Sequence, residues 1–199
     1  STMEELCKQI EELRAKNSKI LNEKINEELV QLEMKNARFN AKVIEDEEFS
    51  INGKSHVEFV ITTNLGEEEK KLNKIASGGE MSRIMLAIKT VLSDIDEVPV
   101  LIFDEIDTGI SGKAANSVGS KLKKIAKKHQ VIIVTHLATI AAQGDYNYYI
   151  YKEVAANKTN TNVKLLNESE TIREIARIAS GEITEISLSH ARELRNKNV

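Results

Sequence analysis

An α/β fold is what this sequence predicts, and three observations predict it. The runs "VPVLIF" at 98–103 and "VIIV" at 131–134 are short and wholly apolar, the pattern of strands covered on both faces in a parallel sheet. Between them Val118, Leu122, Ile125 and Ala126 recur at helical spacing, from an opening at Ser111 or Gly112 as far as His129. Strand, helix and strand with short connections make a βαβ unit, so the expected sheet is mostly parallel, with flanking helices and hairpins and a long helix ahead of it.

That leading helix runs from Glu4 to about Leu32, a stretch rich in Glu, Lys, Asn, Leu and Ile and free of Gly and Pro. Leu6, Ile10, Leu13 and Ile20 fall at steps of 4, 3 and 7, the seam of a coiled coil; Leu21, Ile25, Leu29 and Leu32 continue on a shifted face, which implies a short stutter. A plain amphipathic helix packed on its own domain and a helix paired with a partner both fit these residues. Alternation then places Phe39, Ala41 and Val43 on one face of a strand, and Val57, Phe59 and Ile61 on one face of another. Asn52-Gly53 between them is the favoured type I′ hairpin turn, which needs positive φ at both central residues. The same stretch settles a false lead. "GKS" at Gly53–Ser55 imitates the end of a phosphate-binding P-loop, but the first glycine of that motif falls on Glu48, and a strand rather than a helix follows.

After the loop "NLGEEEK", the stretch "ASGGEMSRIMLAIKTVLSDI" turns helical, with Met81, Ile84, Met85, Ile88 and Leu92 at 3 and 4 spacing; Pro99 stops it and opens the next strand. Past "VIIVTH", the stretches "YNYYIYKEV" and "TNVKLL" form a closing hairpin around "AANKTNT". "SETIREIARIAS" and "SLSHARELRN" are terminal helices with serine caps. No internal repeat is present.

Composition narrows the class. At 199 residues and 41% hydrophobic content the chain can bury one good core and a small annex. A single cysteine, Cys7, excludes an internal disulfide framework, and no signal-peptide pattern opens the sequence, so a reducing cytoplasm is the expected compartment. The apolar runs fall far short of the roughly 20 residues that span a bilayer. With net charge −3, the chain has no bulk basic field for a phosphate backbone.

The chemistry-bearing residues are few. Val100 to Phe103 deliver Asp104 and Glu105 at the carboxyl end of a strand, where ligands bind in open α/β sheets. An acid there suits a Mg²⁺ that bridges nucleotide phosphates, and a second can orient or deprotonate a water; a solvated loop start is the plainer reading. In "ASGGEMSR", Ser77, Gly78 and Gly79 stand directly before a helix, where close backbone approach and the helix N-terminus favour an anion such as a γ-phosphate. Equally, Ser77 and Glu80 compose a capping box. His136 closes "VIIVTH" at the same sheet edge as the two acids.

Together and in this order these elements resemble the C-terminal half of an ABC-type, P-loop NTPase-like ATPase head: a signature "SGGE", a Walker B "LIFDE", a D-loop and a switch histidine. "IASGGEMSRIMLAIK", "FDEIDTGISGKAA" and "THLATIAAQGD" are most similar to the RecN family of bacterial DNA double-strand-break repair ATPases, relatives of the SMC proteins, over about Leu32 to Leu194. The resemblance implies a coiled-coil base at 1–32 and the C-terminal lobe of the head at 33–199. It implies ATP and Mg²⁺ as cofactors, and a P-loop carried by an N-terminal lobe across a long coiled-coil excursion, so that this chain is half of a head. Further implied partners are a second head in an ATP-driven homodimer and, in the full-length protein, DNA, in recombination and repair at the nucleoid. By the same resemblance Asp104 supports the metal, Glu105 is the catalytic carboxylate and His136 contacts the γ-phosphate. Ser77, Gly78 and Gly79, with Glu80 of the same motif, act in trans on ATP held by the second head, and Asp107 to Ser111 form the D-loop at the interface.

Two departures from the pattern stand out. Many relatives end the D-loop "ALD" where this chain has "TGIS", and "LAT" replaces "LPQ" after the histidine. Alternatives of other classes are an SMC-like chromosome-associated lobe, a non-hydrolysing assembly module, and a transporter nucleotide-binding domain, which predicts a P-loop on the same short domain. Lys121 to His129 read as a solvated helix face, Tyr146, Tyr148, Tyr149 and Tyr151 as strand packing, and Cys7, His56, His129 and His190 make no metal spacing.

Overall fold

A computed structural model of the chain describes residues 2–110, 112–155 and 158–196. The elements follow in the order α1 (Thr2–Gln31), β1 (Arg38–Ser50), β2 (Gly53–Thr62), β3 (Lys70–Lys71), α2 (Gly78–Leu92), β4 (Val100–Phe103), α3 (Lys113–Ala126), β5 (Gln130–Ile133), α4 (Ala138–Ala141), β6 (Tyr148–Ala155), β7 (Lys158–Leu165), α5 (Glu168–Ser180) and α6 (Glu185–Asn196). The short α4 is an addition to the expected set.

The βαβ unit forms as read. β4 and β5 pair in parallel, with Leu101 opposite Val131 and Phe103 opposite Ile133, and α3 makes the crossover. The remaining pairs, β1-β2-β3 and β6-β7, are antiparallel. The sheets are therefore mixed rather than mostly parallel. A parallel neighbour needs a crossover of about a dozen residues, which α3 supplies, whereas strands joined by tight turns pair antiparallel.

Nor is the parallel pair covered on both faces. Leu101 and Phe103 enter the core, while Val100, Ile102, Ile132 and Val134 lie exposed on the opposite face, Ile102 at 69%. The β6-β7 ribbon likewise turns Tyr148, Ile150, Val163 and Leu165 outward together, since Tyr148 pairs with Leu165 and Ile150 with Val163.

The first hairpin exists, but its turn is framed one residue earlier than expected. Ser50 pairs with Gly53 across Ile51 and Asn52, and of these only Gly53 has positive φ, at 97°. That excludes type I′; serine at the first position and glycine at the fourth suit a type I turn. The Ser50 hydroxyl accepts from the Asn52 amide at 3.1 Å and donates to the Gly53 carbonyl at 2.9 Å.

Helix α1 uses two faces. Ile25 and Leu29, with Leu32 just beyond, are fully buried in the main core beside Phe39, Ile61, Ile84, Leu86, Phe103 and Val118. Its other half is clasped by the hairpin: Arg14 donates to the Ser55 carbonyl, to the Ser55 hydroxyl at 2.9 Å and to the Asn52 carbonyl at 2.9 Å. Ile10 and Cys7 lie in van der Waals contact distance of the space beside Gly53. Leu6, Leu13 and Ile20 stay exposed on a separate stripe. The shift in the apolar pattern is thus a change of face on one unbroken helix, as the shifted spacing of Leu21, Ile25, Leu29 and Leu32 implies.

Three smaller expectations are corrected. Helix α2 ends at Leu92, ahead of Pro99, in a loop held by Asp96, whose carboxylate takes Lys89 at 2.6 Å and the Val98 amide at 3.1 Å. Helix α5 is capped by Asn167 with Glu170 in a reciprocal box, two residues ahead of the expected serine cap at Ser169. At α6 the Thr184 hydroxyl accepts from the Ser187 amide at 3.1 Å. Helices α4, α5 and α6 close a second, alanine-rich core of Ala138, Ala141, Ala142, Ile175, Ala176 and Ala191. Among the described residues no helix is long and apolar enough to cross a membrane.

The two faces of α1 are expected to differ sharply in urea unfolding. Leu29→Ala should cost about 2–5 kcal/mol through a buried cavity, and Leu13→Ala within about 0.5 kcal/mol, as at an open surface.

Candidate active site

The site is built where α2 begins. Ser77 is the N-cap, its hydroxyl accepting from the Glu80 amide at 3.4 Å, so the serine's half of the expected capping box is realised. Of the two glycines that follow, Gly79 is required by packing against backbone, while Gly78 makes room for a side chain that can move. A Cβ at Gly78 would overlap the Glu105 carboxylate, and one at Gly79 would lie 2.9 Å from the Thr108 Cβ and 3.1 Å from the carbonyl oxygens of Glu105 and Thr108. One turn on, Ser82 donates to the Asp104 carbonyl at 2.6 Å and Arg83 donates to the Thr108 carbonyl at 2.8 Å. The first two turns of α2 are thereby fixed to the loop that leaves β4.

That loop carries the acids. Asp104 is exposed, and its Oδ1 accepts from the Glu105 amide at 2.9 Å. Glu105 is exposed too, with φ at +56°. A left-handed residue other than glycine costs of order 1–3 kcal/mol and persists where its surroundings hold it; here its carbonyl accepts from the Thr108 amide at 3.0 Å.

Asp107 points the other way. Its side chain is 1% exposed, and Oδ2 accepts from the Thr135 hydroxyl and, at 2.8 Å, from the His136 amide. The His136 Nδ1 lies 3.3 Å from the same oxygen, with the ring 71% exposed. His136 therefore sits three residues beyond the end of β5 rather than closing the strand. It shares the rim with the acids even so, because the Val134 amide continues the ladder onto the Phe103 carbonyl at 3.0 Å.

Of the residues expected at the site, Ser77, Gly78, Gly79, Glu80, Asp104, Glu105 and His136 gather along this rim. Asp107 joins them with its carboxylate buried and spent on Thr135 and His136, while Ser111 lies outside the described residues. Among the described residues no cluster of three His, Cys, Asp or Glu side chains forms a metal site. Lys121 pairs with Glu28, Lys128 with Asp94, and His129 is buried against the Val98 carbonyl at 2.7 Å. Tyr149 and Tyr151 stack on each other with centroids 5.6 Å apart.

Sequence reasoning missed Ser82, Arg83 and Thr135. The first two stand four residues after Gly78 and Gly79, on the same helical face, and Thr135 adjoins the histidine; spacing was the available signal.

Asp107→Ala removes one acceptor from two donors. A loss of roughly 1–3 kcal/mol is expected, read as a lower urea midpoint. Gly79→Ala should cost about 1–3 kcal/mol by overpacking the loop.

Over 183 residues the chain is 40% identical to DNA repair protein RecN of Haemophilus influenzae, a match spanning 91% of this chain and 33% of that protein. Over 179 residues it is 43% identical to the RecN of Halalkalibacterium halodurans, spanning 87% of this chain and 32% of that one. No protein-family model matches. The crystal structure of the Smc head domain with a coiled coil and joint from Pyrococcus yayanosii aligns with a TM-score of 0.56 over 84% of this chain and 30% of that one, at 17% identity, so the fold is that of an SMC-type head. The chain spans about a third of the length of the curated relatives it matches, and over that third it is similar to the RecN proteins.

Proposed function

We propose that this chain is the C-terminal lobe of a head that binds and hydrolyses ATP in DNA double-strand-break repair and recombination. In this reading 1–32 is the base of a coiled-coil arm and 33–199 the lobe. The observation that carries it is the meeting of Glu105 with Gly78, and of Asp107 with His136, at one end of the β4-β5 pair. Support for a completing N-terminal P-loop lobe comes from the open aliphatic face of Val100, Ile102, Ile132 and Val134. The exposed stripe of Leu6, Leu13 and Ile20 supports a partner helix along α1.

The residues fit a nucleotide with Mg²⁺. Asp104 is an exposed oxygen donor with one carboxylate oxygen engaged by its neighbour's amide, and Mg²⁺ sites characteristically use one or two carboxylates plus substrate phosphates. Bound there, the cation would neutralise charge on the phosphate oxygens. Glu105 then acts as the general base that orients and deprotonates water, and His136 donates toward the γ-phosphate. Asp107 positions that histidine through its backbone amide and ring. Ser77, Gly78 and Gly79, with Glu80, meet the nucleotide of a second head, for which the Glu105 carboxylate must first leave its place against Gly78. The segment Asp107 to Ser111 faces that second head.

In the full-length protein, Glu105→Gln is expected to lower ATP turnover roughly 10²-fold to 10⁴-fold, the scale of a lost general base, while sparing ATP-driven association of heads measured by sedimentation. Unchanged turnover would refute the assignment of Glu105 as the base, whereas no hydrolysis by the unmutated protein with its N-terminal lobe present would leave a non-hydrolysing assembly module. For the isolated chain, calorimetry should detect neither hydrolysis nor tight ATP binding. Micromolar affinity there would overturn the division of the site between lobes.

A further inference from the structure

Arg83 is 8% exposed, yet among the described residues it has no carboxylate at ion-pair distance. Its guanidinium donates once to the Thr108 carbonyl, and its Nε finds no acceptor. Burial pushes its pKa down, with Glu80 acting against that shift. Other semi-buried cations are treated differently: Lys89 pairs with Asp96 and Lys121 with Glu28. A buried charge left in this state is costly unless something else balances it.

What lies beside it is a concavity of about 490 Å³ between the end of α1, the loop after β4 and the start of α3. Its charged lining is Arg83, Lys35 and Lys113 against one acid, Glu33, which pairs with Lys35 at 3.0 Å. Gly109 and Ile110 form its floor on the loop side. Lys113 is the first residue of the 14-residue α3, whose N-cap, Gly112, offers no side-chain acceptor to the first-turn amides. Three features of different origin thus favour negative charge here: an under-used guanidinium, the ammonium groups of Lys113 and of Lys35, the latter shared with Glu33, and a helix start without a side-chain cap among the described residues.

We propose that this concavity binds a phosphate group, either of a small phosphate or of a nucleic-acid backbone. It uses none of Ser77, Asp104, Glu105 or His136, so its failure would leave the ATPase reading untouched.

The Arg83 Nε–H resonance reports on the site directly. Titrating the ¹⁵N-labelled chain with inorganic phosphate is expected to shift that resonance saturably, and chloride at matched ionic strength should not. Lys113→Glu and Lys35→Glu lie at exposed positions and should preserve the fold while weakening the phosphate response roughly tenfold each, the scale of one charge-assisted contact. If a short DNA duplex reproduces the shift at lower concentration, with steep salt dependence, the phosphate is that of nucleic acid. A response to phosphate with none to duplex assigns it to a small phosphate. No saturable shift with either probe, a shift that chloride matches, or full response in Lys113→Glu overturns the site.

Discussion

The rim of this lobe depends on one buried carboxylate. Asp107 sits in the loop that leaves β4, yet its oxygen holds Thr135 and His136 from the segment that leaves β5. Backbone pairing carries the two strands side by side only as far as Phe103 and Val134; beyond them the chains have no ladder to keep them together. A charged acceptor taking both a hydroxyl and an amide in a place closed to water is a strong tie. It leaves the imidazole outside, exposed but oriented.

On the opposite side the same loop is held by α2, and by a different kind of interaction. Two hydrogen bonds, from Ser82 and Arg83, grip backbone carbonyls, while Gly78 and Gly79 allow the approach by having no side chain. Helix α2, the acidic loop and the histidine are consequently one mechanical unit. Displacing any of them must break charged or buried hydrogen bonds. The left-handed Glu105 stands in the middle of that unit, where the surroundings can sustain an uncommon backbone angle.

Around this unit the lobe leaves much apolar surface open. The outer face of β4-β5, one face of the β6-β7 ribbon and the stripe of Leu6, Leu13 and Ile20 are each unpaid hydrophobic area. A two-stranded ribbon is marginal alone, and here it extends from a lobe whose own core is complete elsewhere. The stable parts are the main core below α1 and α2 and the small-residue core of α4, α5 and α6.

Local pattern in the sequence determined the elements that rest on nearest neighbours: the long helix, the hairpin strands, the βαβ unit, the serine cap of α2 and the run of residues that line the rim. These follow from propensity, period and capping, which act within a few residues. The same signals misplaced the hairpin turn by one residue and assumed covered strands. Only the tertiary structure decided those points, along with the roles of Ser82, Arg83 and Thr135 and the inward turn of Asp107. Each is a contact between segments far apart in the chain, such as Arg83 with Thr108 or Asp107 with His136, and spacing along one segment carries no information about which distant group a side chain will meet.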